Sequence, residues 1–592
     1  MNADGLAETR VGRWLSHRRA PLGLALLAVL LAAPAVPTGL MGDDYFQRII
    51  LLRIGELGAR LSPVRELFDF VPAHLRDRMV ELGVIPWWSD PSLSIAFARP
   101  LSALSHVVDY ALWPDTFALH HLHSLLWFAL AVGLVGGLYR RLCGSPAVAG
   151  LAGLLFAVED AHALNAGWVA NRNALLCLVA GALLVGQHVQ WQRTRRARAL
   201  ALALLFATIG LACGEATLGA LAYVVAWQFT CEECSWRHRL WPLVPYALVV
   251  GSWRVLYGAF GYGVVGSSLY TDPGREPLLF LTALLERAPL LLSNQWLGAP
   301  INLWLMLSRP LQLAASAAAA ACLVPLVWLV LPIVRRERLA RFWGLGMLIA
   351  LVPICAAFPM DRLLLFAGVG AFGLIAELIA SGRAWSGARA ARAGWRRKAG
   401  LVLLALHGPL AAVLLVLGTA TLPLFGASIL AAADQAPRDP AVSGQALVFV
   451  NGNDFPVAYL PLVRQVRRDS PPPRRVAQLA STSATNDVRR EDRSTLVITP
   501  EGGFLAHAMD RLLADPARSF VTGQRIERPD FVAEVRDVTA DGRPATVAFH
   551  FRRPLDDPGY RWLFWRDGRL IPFPLPDVGE RMTLAPSLLV NF

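Results

Sequence analysis

Long apolar runs almost free of charge constrain this chain more than any other feature in it. Residues 22–37, 199–212 and 311–334 carry no Asp, Glu, Lys or Arg, and 117–138 differs only by three histidines near its start. A helix of about 20 such residues crosses a bilayer core. Inside hydrocarbon every backbone polar group must be satisfied within the protein, so runs of this kind specify a bundle of helices. Only 17% of the 592 residues are charged, against about 25% in soluble domains. The first run follows basic residues near the N-terminus, like a signal peptide, and Ala33-Pro34-Ala35 resembles a cleavage site. The many spans that follow favour reading it as a retained first helix.

The net charge of +13 sits in short clusters at 10–19, 140–141, 193–198, 335–341 and 383–398, between the apolar runs. Clusters so placed set orientation by the positive-inside rule and do not indicate nucleic acid as a partner. With each cluster inside, the chain reads as about eleven spans. They lie near 20–38, 117–139, 146–158, 174–190, a hairpin of two helices with its tip at 213–215, 240–260, 311–334, 342–358, 363–381 and 399–425. The N-terminus is then cytoplasmic and 39–116 forms a long outer segment. The stretch 276–300 is apolar but interrupted by Glu286, Arg287, Asn294 and Gln295; it reads as an interfacial or re-entrant helix. Seven scattered cysteines make no disulfide framework. Cys231-Glu232-Glu233-Cys234 with His238 is a weak metal signal without a second pair.

Beyond residue 431 the composition changes to Arg, Asp and Pro. β-type runs at 446–450, 494–498, 531–538, 546–551 and 562–565 are separated by turn signals such as Asp541-Gly542 and Asp567-Gly568. The sequence predicts a mainly α membrane bundle over 1–431 and a soluble, β-rich α+β domain over 432–592, with some helix at 504–513. Both that domain and the 39–116 segment are expected on the outer (periplasmic) side of a plasma or inner membrane.

Ionisable groups at a membrane bundle are functional candidates by default. Asp43-Asp44, just past the first helix, could serve as a general base or as a metal-ligand pair with a general base; a solvated helix cap for 45–56 is the structural alternative. Arg99 could face a phosphate or reach lipid headgroups. His120, His121 and His123 could bind metal, but histidines at a helix entrance are more often solvated, and they read so here. The 159–173 loop holds Glu159, Asp160, His162, Asn165, Trp168, Asn171, Arg172 and Asn173, a polar density that structure alone does not require. Glu215 and Asp361-Arg362 complete the set, with a solvated turn and a local ion pair as their structural alternatives. Acids, a histidine and arginines on one face suit a reaction between a phosphate-bearing lipid and a hydroxyl or amine.

These residues resemble a family. An acidic pair after the first helix is similar to the GT-C superfamily of polytopic glycosyltransferases. Arg99-Pro100-Leu101, the run from Phe156 to Leu176 with His162, Trp168 and Arg172, and Glu215 resemble the protein O-mannosyltransferase-like group that includes transmembrane TPR proteins. The chain departs from that group at Glu159-Asp160, Leu164, Ala174 and Gly214, and has no TPR repeats. The resemblance covers about 40–380. It implies a GT-C bundle and an inverting transfer of sugar from a polyprenyl-phosphate donor to a protein, lipid or glycan acceptor on the outer face. It implies that Asp43 or Asp44 activates the acceptor with Glu215 or His162 nearby, and that Arg172 or Arg362 holds the donor phosphate, with Arg99, Glu159, Asp160, Trp168 and Asn173 around the substrates. A divalent cation (Mg or Mn) at Asp44 fits some relatives. An inactive scaffold is the main alternative. A lipid-linked sugar transporter fits less well, because the ionisable groups lie at the rim and no inverted repeat is evident.

Overall fold

The computed structural model describes residues 9–230, 235–381, 390–452, 454–515 and 517–587, without side chains for 390–393 and 454–455. Cys231–Cys234, the weak metal signal, lies outside the described residues. Helices form at the positions of all the expected spans. Six are long and apolar enough to cross a membrane: Ala20–Thr38, Phe117–Leu142, Val169–Thr194, Arg309–Arg336, Asp361–Ala380 and Gly394–Gln435. A bent pair, Pro146–Ala157 and Asp160–Gly167, turns by 52° at its break and makes a seventh if it is one span. The helices Ala197–Cys213, Leu218–Thr230, Val244–Ala259 and Arg338–Ile354 are shorter.

Burial sorts these helices. Arg172–Thr194 is central, buried along most of its length. Arg309–Arg336 and the Gly394–Gln435 helix are peripheral, and their Val324, Val327, Trp328, Leu401, Val402 and Leu424 are exposed. A continuous exposed apolar face of this kind is stable only against lipid or another apolar surface. The 276–300 stretch contains a helix, Pro277–Leu297, packed against Arg309–Arg336. Each of its four interrupting polar residues has a protein partner. Glu286 pairs with Arg309 at 2.6 Å, and Arg287 donates to the Cys355 carbonyl at 3.0 Å. Asn294 donates to the Ala299 carbonyl at 2.6 Å, and Gln295 to Glu159 at 3.5 Å.

The 39–116 segment is built, not loose. It contains Asp43–Leu51, Gly55–Arg60, Arg76–Leu82 and Pro100–Leu112, all helical. A small antiparallel sheet joins Asp69–Val71 and Ser94–Ala96 to Gly263–Val265. The histidines expected to be solvated are corrected by this folding. His120 and His121 are buried, and their ring nitrogens meet the carbonyls of Trp113 and Gly39 at 3.0 and 2.9 Å, because the segment closes over the helix entrance.

The C-terminal region is β-rich, and all five expected strands are present. Six antiparallel strands form one sheet, with Thr495–Pro500 and Pro544–Phe551 at its centre. A second sheet has Tyr560–Arg566, Ala446–Gly452 and Arg475–Ser481 in parallel, plus Arg569–Pro572 antiparallel at its edge. The helix Asp454–Arg467 makes the crossover that a parallel pair requires. The helix expected at 504–513 is absent. That stretch is turns, starting after Gly502 and Gly503 at positive φ and passing through Leu505 at φ 59°. Its apolar residues serve different cores: Phe504 and Leu505 the sheets, Ala508 and Leu512 the helical bundle. One helix face cannot do both.

Tryptophans fasten the 39–116 segment to this domain. Trp87 and Trp88 enter the sheet core and donate to the carbonyls of Leu479 and Asp510 at 2.9 and 3.1 Å. The Trp87 ring meets Phe504 and Phe549 edge-on at 5.6 and 5.5 Å.

Candidate active site

The acidic pair divides its labour. Gly42, at φ +53°, turns the chain so that Asp43 and Asp44 open the helix Asp43–Leu51. A carboxylate in a first turn is favoured by the helix dipole. Asp44 is 2% exposed, and both its oxygens are engaged. One accepts the Met41 amide at 3.0 Å, the other the Ala170 amide at 2.7 Å. It therefore ties the helix start to the 169–171 turn. Burial pushes its carboxyl up to about 7, against the pull of those two amides.

Asp43 faces the other way. Its carboxylate accepts the hydroxyl of Tyr459, which comes from the crossover helix of the C-terminal domain. Burial raises its pKa, and the Tyr459 hydroxyl and the Arg362 and Arg99 guanidiniums counter that rise. The two cations are framed on either side. Arg99 lies over the rings of Phe97 and Phe68 at 4.5 and 5.2 Å and donates to Glu215 at 2.9 Å. Glu215 also accepts the Tyr257 hydroxyl at 2.9 Å. Arg362 lies over Trp168 at 5.7 Å and donates to Asn171 at 3.0 Å; Asn171 donates to Asn165 at 2.7 Å, and Asn165 to the Arg362 carbonyl at 3.0 Å. Tyr270 bonds Arg362 and feels the charges of Asp43 and Arg99. Asp43, Arg99, Arg362, Tyr270 and Tyr459 thus share one neighbourhood, with Glu215, Trp168 and Asn171 holding its arginines.

Glu215 and Arg362 depart from their structural alternatives. Glu215 is not a solvated turn residue, and the Arg362 guanidinium turns to Asn171, leaving Asp361 to accept the Asn302 amide at 2.7 Å.

Other expected residues lie elsewhere. Arg172 is fully buried and pairs with Asp109 at 2.6 Å. It also donates to Ser124 at 2.9 Å and to the His120 carbonyl at 2.9 Å, while His123 meets Asp109 at 2.5 Å. His162 is buried between the rings of Phe156 and Phe128, at 4.7 and 5.6 Å. Asn173 is buried beside Gly214. Glu159 accepts from His407 at 3.2 Å and Gln295 at 3.5 Å, with Asp160 next to it opening a short turn. His407 occupies a π-helical turn, Leu406–Leu410, a distortion common at functional positions. A lone histidine in an apolar helix was visible in the sequence; nothing local marked Asp109, Tyr270 or Tyr459.

Among the described residues no three His, Cys, Asp or Glu side chains come together to hold a metal ion. The cations that face Asp43 are guanidiniums, and Asp44 is occupied by backbone amides, so this donor set does not fit a divalent cation.

No family model matches the chain, and no curated protein matches it. Solved structures with some likeness include ArnT from Cupriavidus metallidurans bound to undecaprenyl phosphate, at 15% identity, covering 78% of this chain and 90% of that one with a TM-score of 0.35. The Archaeoglobus fulgidus oligosaccharyltransferase in complex with Zn and sulfate is 13% identical, over 77% of this chain and 62% of its own, with a TM-score of 0.38.

Proposed function

We propose that this chain is a membrane glycosyltransferase of the GT-C kind, moving a sugar from a polyprenyl-phosphate donor to an acceptor on the outer face of a plasma or inner membrane. The observation that carries the reading is Asp43: a half-buried carboxyl of raised pKa, flanked by two guanidiniums and held by a tyrosine from the C-terminal domain. A carboxylate with a raised pKa is a better base for a hydroxyl or amine proton than an ordinary one. Arg99 and Arg362 supply the charge that a donor phosphate requires, and guanidinium geometry matches phosphate oxygens.

The step balances without a metal. The acceptor oxygen or nitrogen gives its proton to Asp43 and bonds the anomeric carbon. The bond from that carbon to the phosphate oxygen breaks, and the lipid phosphate leaves with the electron pair. Arg99 and Arg362 take up the charge gained by that oxygen, the kind of stabilisation that contributes most to transfer reactions. Attack opposite the leaving group inverts the sugar. Asp44, Glu215 and Trp168 act as positioning residues, through the helix start, Arg99 and Arg362 respectively. Arg172 positions the Pro100–Leu112 helix through Asp109.

The test is glycan and glycolipid mass spectrometry on cells carrying Asp43→Asn or Asp44→Asn at equal protein level. The reading expects Asp43→Asn to abolish one glycan modification. A chain that tolerates both substitutions yet loses its role on deletion of 432–592 is a scaffold.

A further inference from the structure

The bundle holds a second polar site at its opposite end. A cavity of about 490 Å³ opens where three helices end: the C-termini of Phe117–Leu142 and Arg172–Thr194 and the N-terminus of Ala197–Cys213. Four arginines line it, Arg141, Arg193, Arg196 and Arg198, with Gln187 and Gln190. Leu138, Leu142 and Val189 form its apolar part, and among the described residues no carboxylate lines it. Among the described residues none of these four arginines forms an ion pair with an Asp or Glu. The central helix has 23 residues, so this cavity lies about 34 Å from the Arg172 end, one bilayer core away.

Part of this charge has a local explanation. Arg141 and Arg193 lie in the last turns of their helices, where cations complement the dipole. Arg196 and Arg198 do not. They flank the N-terminus of Ala197–Cys213, which has no acidic residue in its first turn and no side-chain cap. Cations there oppose the helix dipole; the Ala199 amide turns back to the Arg196 carbonyl at 3.0 Å, and no side chain caps the amides of Ala197 and Arg198. Gly186 contributes space: a Cβ at that position would come within 3.3 Å of an Arg141 guanidinium nitrogen. An anion in the cavity would relieve the repulsion among the guanidiniums and meet the free helix end together.

We propose that this cavity binds the phosphate of an anionic membrane lipid, with the acyl chains running along the apolar part. Positive-inside orientation requires the charges but not their convergence on one cavity. The volume lies in the range of small-molecule sites, about 300–1,000 Å³. Free inorganic phosphate shares the headgroup chemistry but has no use for the apolar wall.

The experiment is native mass spectrometry of the full-length protein in detergent, titrated with cardiolipin, phosphatidylglycerol or phosphatidylcholine, with inorganic phosphate as a separate probe. The proposal expects anionic lipids to be retained over phosphatidylcholine. It expects Arg196→Gln/Arg198→Gln to weaken that retention roughly thirtyfold, from the worth of two basic residues at an anionic headgroup. Arg196→Lys/Arg198→Lys, which keeps the charge and the orientation, should weaken it several-fold. Equal retention of all three lipids, retention unchanged in the Gln variant, or phosphate binding without lipid preference would each overturn the proposal. Both arginines are exposed, so the melting temperature without added lipid should match the parent's.

Discussion

Arg172 offers the sharpest test of how the site is divided between chemistry and support. The resemblance gives it a donor phosphate; the structure gives it Asp109. Replacing it with methionine, which keeps the aliphatic stem and removes the guanidinium, leaves Asp109 buried with His123 as its remaining partner. Breaking a buried ion pair by removing one member costs about 3–5 kcal/mol, and the surviving His123 contact places Arg172→Met near ~3 kcal/mol within that range. Asp109→Asn is milder, about 1–3 kcal/mol, because Arg172 keeps Ser124 and the His120 carbonyl. The double variant should cost less than the sum by roughly 1.5–3 kcal/mol, the coupling of a charged hydrogen-bonded pair. Equilibrium denaturation of the four proteins in mixed micelles reads that coupling. An Arg172→Met protein within about 1 kcal/mol of the parent, with zero coupling to Asp109 but lost donor binding, would refute the structural role and return Arg172 to the phosphate.

Three further outcomes follow from the geometry. Tyr459→Phe removes a bond that lowers the Asp43 pKa, so the acid limb of the pH–rate profile should move up by about one unit, the worth of a charged hydrogen bond; an unmoved limb would separate Tyr459 from the base. Burial, with Glu66 beside it, pushes the Asp69 carboxyl up to about 7. A raised carboxyl binds more protons folded than unfolded, so its contribution is present below about pH 4 and is lost as pH rises to about 7; Asp69→Asn should flatten that part of the melting-temperature profile between pH 4 and 7. Trp87→Ala empties a site in the sheet core and should cost about 3–5 kcal/mol, seen as earlier proteolysis of the C-terminal domain with the helical bundle intact.

The helices were legible because an apolar run is a local property, and the same is true of strands such as 531–538, where composition and turns agree. Asp43-Asp44 was legible as an acidic pair after a span, but not its division: which carboxylate is pinned depends on the Ala170 amide, far along the chain. Arg172 looked like a ligand because its partner Asp109 sits 63 positions earlier in a segment that seemed to be outer loop. The 504–513 stretch misled because its hydrophobic spacing serves two separate cores. His407 was visible and passed over, one ionisable residue in a long apolar helix.

The bond between Asp43 and Tyr459 joins positions 416 residues apart. The carboxylate is made among the first turns of the chain and its hydroxyl partner only after the last bundle helix. A nascent protein therefore lacks this bond until its final domain has folded onto the 39–116 segment.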